Sequence, residues 1–593
     1  MSRWKRKGLA VLLVAGMMVT ASGCGESKEQ AKTSEAVESE TAAVDGTEAF
    51  AEDTKALEDK DTLYANDDED SVVTMYLTLT TGNASDNTNH TWTEVNSYSA
   101  YDYDEMGVER YAVNGLLQVG DEAGPIEGEL GYGQNVPNAT VTIRGQTSTR
   151  YAQKNYRISI RDEKGTWRDQ KVINLNKHEQ DETRFTNKLC YDLMKELPGM
   201  MALRTQFVHL YVKDMTEGGN GKFTDYGLYT QVEQLNKRAL ENHGLDKNGH
   251  LYKINFFEFY RYEDVIMTKN NAEYDEGAFE DLLEIKGDDD HSKLIAMLED
   301  LNDYSIPIEE VLDKWFEKDN LFSWMAFHIL MGNVDTQSRN AFIYSPLNSN
   351  TWYFISWDSD ASFTDTKRMF KEDEREIGWE KGVSNYWGNI LFQRVLKNES
   401  LRTELDDKIQ EYRSIITEEK LESMVDTYTP VVKEYAFTSP DKEHMPISEE
   451  EYDKMIEELP YEVERNYQHY LDSLNEPMPF YIGTPENREA GIYFLWDNAF
   501  DFDEETVLYT FELATDYSFE DPIVVKEDIF TPEYTYEGDL EPGQYFVRIK
   551  AVNESGYEQY AFDYYVASST HYYGIKCFYV MPDGSIEEDV YEE

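Results

Sequence analysis

The strongest constraint on this chain is a pair of short strands with carboxylates gathered at one end. Ala341 to Tyr344 reads as one strand, Pro346 to Asn350 as a turn, and Thr351 to Trp357 as a second strand returning beside the first. Asn333-Val-Asp335-Thr-Gln-Ser-Arg-Asn340 leads into the first strand, and Trp357-Asp358-Ser-Asp360 leaves the second. A hairpin of this kind brings Asp335 and Asn340, at the mouth of one strand, close to Asp358 and Asp360, at the exit of the other. Four converging oxygen-bearing side chains suit a hard cation better than zinc. An Asp and an Asn five apart, then an Asp after the next strand, is also how phosphoryl-transfer enzymes set out one base and two magnesium ligands. The same residue types are what hairpin ends prefer for turn geometry alone, so the spacing leaves both readings open.

The N-terminus indicates where such chemistry would take place. Arg3, Lys5, Arg6 and Lys7 precede an apolar run from Leu9 to Val19, followed by Ala21-Ser22-Gly23-Cys24. That is a charged region, a hydrophobic stretch too short to span a membrane, and a small-residue cleavage site. Cys24 directly after Ala-Ser-Gly resembles a bacterial lipobox, which implies that the signal segment (residues 1–24 with its lipobox) is cut just before Cys24 and that Cys24 is lipidated. The mature chain is then expected to be extracytoplasmic and tethered to the outer face of a bacterial cell membrane. A secreted protein cleaved elsewhere is the alternative. Residues 25–70, rich in Glu, Ala, Thr, Ser, Asp and Lys, bury too little to fold and read as a disordered acidic linker.

A formal charge of −62 excludes nucleic acid and anionic lipid surfaces as partners, since either needs a basic face. The same field repels free ATP, so any nucleotide site has to be a local basic pocket assisted by metal. Cys190 and Cys577 lie far apart in sequence and are read as free thiols, with no cysteine metal site.

Four blocks follow the linker. Residues 71–135 form a β-rich lead-in that begins with the alternating Val72-Val-Thr-Met-Tyr-Leu-Thr-Leu-Thr80. Residues 136–475 mix strands at Ala139–Ile143, Asn155–Ile160, Gln206–Val212 and Tyr226–Val232 with helices at Thr183–Leu197, Glu233–Leu240, Ala278–Leu301 and Ile308–Leu330. From Trp387 to Leu474 the pattern is largely helical, and Pro477-Met-Pro479 marks a boundary. Residues 478–568 are all β and resemble a fibronectin type III or other immunoglobulin-like module, with Trp496 in its core and Tyr545 near the corner position. Such a module spaces or binds. Residues 569–593 are left as a tail.

Five motifs, in order, carry a family resemblance: Ile143-Arg-Gly-Gln-Thr-Ser-Thr149 with Gln153-Lys-Asn-Tyr-Arg157, Gly227-Leu-Tyr-Thr-Gln-Val-Glu233, Leu251-Tyr-Lys253, Asn333-x-Asp335-x4-Asn340 and Trp357-Asp-x-Asp360. Together they resemble the spore coat protein CotH family of secreted or surface-anchored atypical protein kinases. The resemblance implies an α+β fold: a diverged, two-lobed protein-kinase-like domain with ATP and Mg2+ or Mn2+ between a β-rich and a mostly helical lobe. It makes Asp335 the catalytic base and Asn340 and Asp358 metal ligands, with Asp360 a further ligand or an orienter of Asp358. In the loop Arg144–Lys154, Gly145 permits a tight turn, Thr147, Ser148 and Thr149 offer hydroxyls, and Arg144 and Lys154 offer charge to phosphates. A hairpin turn with surface cations is the alternative there. Thr364 stands where the family commonly has Gly, which departs from the expected flexibility of that loop.

Other positions carry less. Glu233 is a candidate for the adenine or ribose, or for pairing with Lys154, against a solvated Glu. Tyr252 and Trp352 are candidates for stacking on adenine, against plain core packing. His178-Glu179 lacks the second His of a zinc helix; Asp181 reads as a helix N-cap, and Arg184 either points into the site or pairs with a carboxylate. The expected function is transfer of the ATP γ-phosphate to Ser or Thr of surface or secreted proteins. The competing readings are a catalytically inactive surface scaffold and a carbohydrate-active or carbohydrate-binding protein using paired carboxylates. The last leaves Asn340 and the Arg144–Lys154 loop unexplained.

Overall fold

The computed structural model describes residues 56–57, 59–65, 67–370, 378–567 and 570–588. The expected signal sequence, Cys24 and the linker up to residue 55 lie outside the described residues. The remaining linker does not match the expectation: Leu57 is buried, Asp59 bonds His243, and Asp67 pairs with Lys195 at 2.7 Å, so packing begins near residue 56.

Strand β1 (Val72–Thr80) is followed by short helices α1 (Trp92–Ser97) and α2 (Ala100–Met106), each started by a capping box, Thr91 with Glu94 and Ser99 with Asp102. Next come β2 (Ala112–Asp121), β3 (Gly124–Pro125), β4 (Ala139–Arg144), β5 (Asn155–Ile160), β6 (Val172–Asn176), α3 (Thr186–Met194), β7 (Thr205–Asp214), β8 (Phe223–Glu233) and α4 (Lys237–His243). The strand path is β1-β7-β8-β6-β5-β4-β2-β3, and β1 also pairs with β2, so seven strands close on themselves. The lead-in is therefore not a separate block, because β1 and β2 seal this barrel. Its interior is filled by alternate side chains, among them Met75, Leu77, Val141, Ile143, Tyr156, Ile158 and Ile173. The opposite face of β4, β5 and β6 carries Thr142, Arg144, Arg157, Asn174 and Asn176.

A second, four-stranded sheet has the order β10-β9-β11-β12, with β9 (His250–Ile254), α5 (Glu276–Leu282), β10 (Leu283–Ile285), α6 (Ser292–Asn302), α7 (Ile308–Trp315), α8 (Lys318–Leu330), β11 (Ala341–Ser345) and β12 (Tyr353–Ser356). The two long helices expected between 278 and 330 are each divided. Residues Leu283–Ile285 pair with β9 instead of continuing the first helix, and Glu317 caps a new start by accepting from the Asn320 amide. Strands β11 and β12 are buried on both faces, and α8 is buried from Asn320 to Leu330. Asn320 ties helix to strand by accepting from Phe354 N at 2.6 Å and donating to its carbonyl at 3.0 Å.

Helices α9 (Thr364–Arg368), α10 (Ile390–Lys397), α11 (Glu399–Ile415), α12 (Glu418–Ala436), α13 (Glu449–Glu458) and α14 (Glu462–Ser473) complete the large core. The last region packs a three-stranded sheet, β13 (Glu486–Arg488), β14 (Gly491–Leu495) and β17 (Glu533–Tyr536), on a larger one. The larger sheet contains β15 (Leu508–Ala514), β16 (Val524–Ile529), β18 (Gly543–Val552), β19 (Glu558–Tyr560), β22 (Ile575–Val580) and β23 (Ile586–Glu588), while β20 (Tyr564–Ala567) pairs with β21 (Thr570–Tyr573). Trp496 is in this core, and Tyr545 donates back to the Glu541 carbonyl at 2.8 Å. The expected tail is not one: β22 lies beside β18, and Phe578 is fully buried. The Pro477–Pro479 boundary is packed too, with Phe500 and Phe502 ring centroids 5.2 and 5.8 Å from Trp387. Cys190 and Cys577 are both buried. No helix among the described residues is long and apolar enough to cross a membrane.

Candidate active site

The Asp335 loop is set by how α8 ends. At Gly332 the backbone turns with φ 57°, and a Cβ there would meet the Asn466 side chain at 2.6 Å, so glycine is required. Asn333 Oδ1 accepts from the Asp335 amide at 3.2 Å, a local Asx turn. Arg339 Nε pairs with Asp335 Oδ1, and Asn340 Nδ2 donates to Asp335 Oδ2 at 2.7 Å. An ionised carboxylate only accepts, so the Asn340 amide has to turn its nitrogen to Asp335 and its oxygen away. Strand register then places the partner loop: Ala341 lies opposite Ser356, and the Trp357 amide donates to the Asn340 carbonyl at 3.2 Å. Asn340 and Asp358 both take left-handed φ, 55° and 52°, a region that Asn and Asp visit more readily than most residues.

Asp358 is held from α3. Asn187 Nδ2 donates to its Oδ1 at 3.2 Å, and its amide donates to the Tyr191 hydroxyl at 3.2 Å. The Asp360 carboxylate lies 3.8 Å from His178 Nδ1, and Lys367 donates to the Asp360 carbonyl. Burial, and next the charge of Asp360, push the Asp358 carboxyl up to about 7. Burial would raise Asp360 as well, but His178 and Lys367 outweigh it and hold Asp360 below its usual range. Asp335 is raised by burial against the opposing Arg339. Neighbouring carboxylates driven apart in this way leave negative charge that a cation would relieve.

Cations approach from two sheets. Arg144 leaves β4 with its guanidinium 5.9 Å from the Trp357 ring centroid and bonds the Asn176 amide oxygen. Burial lowers its pKa, and Asp358 is the foremost opposing charge. Lys253 on β9 pairs in register with Phe342, and its Nζ donates to Asn255 Oδ1 at 3.3 Å and lies 3.8 Å from Glu284; burial lowers it, opposed by Glu284 and then Asp358. Tyr151, in the loop after β4, is raised by burial and next by Asp360, so that loop reaches the same cluster.

The structure thus brings together Asp335, Asn340, Asp358, Asp360 and Arg144. It does not bring in the other candidates. Lys154 Nζ donates to the Thr149 carbonyl at 2.6 Å, and the charges acting on it are Glu179 and Asp102. Ser148 Oγ accepts from Asn155 Nδ2 at 3.1 Å, so the loop closes on itself. Glu233 does not pair with Lys154: it is buried and holds Arg204 and His243, the latter at 3.0 Å. Tyr252 and Trp352 are fully buried, 6.1 Å apart between ring centroids, with the Tyr252 hydroxyl 2.9 Å from His291 Nδ1. Tyr252 on β9 and Trp352 just before β12 both belong to the large core, so neither ring has a face to offer. Asp181 is not the N-cap expected of it: α3 starts at Thr186 with Phe185 at the cap position and no side-chain cap bond, and Asp181 instead accepts from the Thr186 amide at 3.1 Å, while Arg184 bonds the carbonyls of Lys177, His178 and His444.

The residues that sequence reasoning left without a role are Lys253, Asn187, Tyr191 and His178. Lys253 stood inside a quoted motif, and Asn187 and Tyr191 are one helical turn apart, which puts them on one face. A cavity of about 250 Å³ lies behind the loop, lined by Asn333, Val334, Asp365 and His469 among others, but by none of the five converging residues. Among the described residues no three His, Cys, Asp or Glu side chains converge to hold a metal alone. The donors present are carboxylate and amide oxygens, which fits Mg2+ or Mn2+ held by one or two carboxylates together with substrate phosphates, and does not fit an all-protein cage.

Over residues 141–470 the chain matches the family described as CotH kinase protein. Inner spore coat protein H of Bacillus subtilis (strain 168) is 21% identical over 332 residues, covering 54% of this chain and 83% of that protein. Two solved structures are similar at 11% identity. A chain from the HipA, HipB and operator DNA complex of Shewanella oneidensis MR-1 matches over 51% of this chain and 58% of its own, little more than half its length, with TM-score 0.22. The Helicobacter pylori proinflammatory kinase CtkA matches over 54% of this chain and 94% of its own, with TM-score 0.25. At those scores neither structure carries an argument about this one.

Proposed function

The chain belongs to the CotH kinase protein family, and from that premise we propose that it is an extracytoplasmic, lipid-anchored kinase. It transfers the γ-phosphate of ATP to Ser or Thr of surface or secreted proteins. The observation that carries this reading is the convergence of Asp335 and Asn340 with Asp358 beneath Arg144 in an otherwise acidic chain. We read the barrel and the helical body as two lobes of a diverged kinase fold, and the C-terminal sandwich as a fibronectin-like module that spaces or binds.

Phosphoryl transfer needs positioned charge more than covalent help. Asp335 accepts the proton of the acceptor hydroxyl; burial has raised its basicity, while Asn340 and Arg339 fix its two oxygens. The outward oxygens of Asn340 and Asp358 would hold Mg2+ or Mn2+. The ion, when bound, would neutralise charge on the β- and γ-phosphates. Arg144 and Lys253 supply positive charge to the same phosphates, and they replace Lys154 and Ser148 in that role.

The purified chain should incorporate label from γ-labelled ATP with Mg2+ or Mn2+ into itself or a co-expressed surface protein. No labelling and no ATP binding, with reducing sugar released from a polysaccharide, would establish the carbohydrate-active reading instead. A mature N-terminus other than a diacylated Cys24 would remove the anchor.

A further inference from the structure

We infer that Asn187 is a positioning residue for Asp358, a clamp that fixes which carboxylate oxygen is left for a cation; this rests on the metal-binding role proposed for Asp358. Asn187 sits in the first turn of α3 and is 1% exposed. Its carboxamide is used at both ends. The nitrogen donates to Asp358 Oδ1 at 3.2 Å, and the oxygen accepts from the Ser359 amide at 3.1 Å. One turn on, the Tyr191 hydroxyl accepts from the Asp358 amide at 3.2 Å and reaches the Ser356 carbonyl at 3.5 Å.

The loop needs such a clamp. Strand pairing ends at Ser356, so the amides of Asp358 and Ser359 have no ladder partner, and Ser359 is fully buried. The left-handed φ of 52° at Asp358 also has to be held by its surroundings. Two side chains on one face of one helix satisfy both amides, and the Asn187 bond takes only Oδ1 of the Asp358 carboxylate. The helix itself is anchored: buried Asp192 pairs with Lys188 and Lys195, each at 2.7 Å, and accepts from Tyr428 at 2.6 Å. Residues that orient a metal ligand in this manner are typically worth about 10- to 100-fold in metal affinity.

The test compares the full chain with Asn187→Ala, Tyr191→Phe and Asn138→Ala, measuring deuterium exchange across residues 356–363 and Mn2+ binding in the presence of ATP. Asn138 is the control. It makes the same two-ended bond, to the Leu117 amide and carbonyl at 2.8 Å each, in the remote part of the barrel. Asn187→Ala should exchange about tenfold faster at 357–362 while β11 stays protected, and should need roughly 10- to 100-fold more Mn2+ for half-saturation. Tyr191→Phe should loosen the Asp358 amide with a smaller change in Mn2+ affinity, and Asn138→Ala should change neither. Unaltered exchange in Asn187→Ala, or an equal loss of Mn2+ affinity in Asn138→Ala, would overturn the clamp. If the wild type holds no Mn2+ with ATP but Asn187→Ala still loosens the loop, Asn187 holds the loop but the clamp's service to a cation falls together with the kinase reading.

Discussion

Replacing Glu233 by Gln separates a nucleotide contact from a structural ion pair. Glu233 is 1% exposed and accepts from Arg204 Nε at 3.1 Å and from His243 Nε2 at 3.0 Å. His243 in turn reaches Asp59 at 2.5 Å, so the cluster fastens the segment after the linker to β8 and α4. Removing one partner of a buried pair leaves the other charge uncompensated, which costs about 3–5 kcal/mol. Burial alone would lower His243, but hydrogen bonds to Asp59 and Glu233 outweigh it and raise it to about 9 from its ordinary 6.5. At 1.36 kcal/mol for each tenfold, this is about 3 kcal/mol. A raised pKa stabilises fully below pH 6.5 and is lost as the pH climbs through 9. Because the chain has several cores, amide exchange in β8 and α4 between pH 6 and 10 is the appropriate measure, not a single unfolding midpoint. Wild type should lose local stability across that range, Glu233→Gln should start lower and lose less, and both should bind ATP with Mn2+ equally well. A variant with unchanged local stability and weakened ATP binding would refute the structural assignment.

Two further outcomes follow from the fold. Lys253→Ala should weaken ATP binding about tenfold, measured by titration calorimetry with Mn2+, whereas Lys154→Ala should leave it within about twofold, since Lys154 is spent on its own loop. A chain ending at residue 567 should lose the C-terminal sandwich to rapid proteolysis while the barrel stays protected, because β22 and the buried Phe578 are removed from its sheet.

What the sequence disclosed follows how local each signal is. The hairpin of β11 and β12 was legible because its turn and both strands lie within seventeen residues of one another, and the register then brings Asp335 and Asp358 together. Closure of the barrel was not, since β1 finds its parallel partner β7 more than a hundred residues away. Residue type also says little about burial. Tyr252 and Trp352 are aromatics that would suit adenine, but both are fully buried in the large core. Choosing between Lys154 and Lys253 needed the pairing of β9 with β11, and the partners of Glu233 come from Arg204, His243 and Asp59, which no local pattern connects. Asn187 shows the intermediate case: its face with Tyr191 was readable, but its target was not.

The central claim is that Asp335 and Asp358 do separate jobs, base and metal ligand. It is tested most directly by measuring ATP binding with Mn2+ and γ-phosphate transfer side by side in Asp335→Asn and Asp358→Asn. The account predicts that Asp335→Asn keeps binding and loses transfer, whereas Asp358→Asn loses both. Transfer that survives in either variant, or binding lost equally in the two, would contradict it.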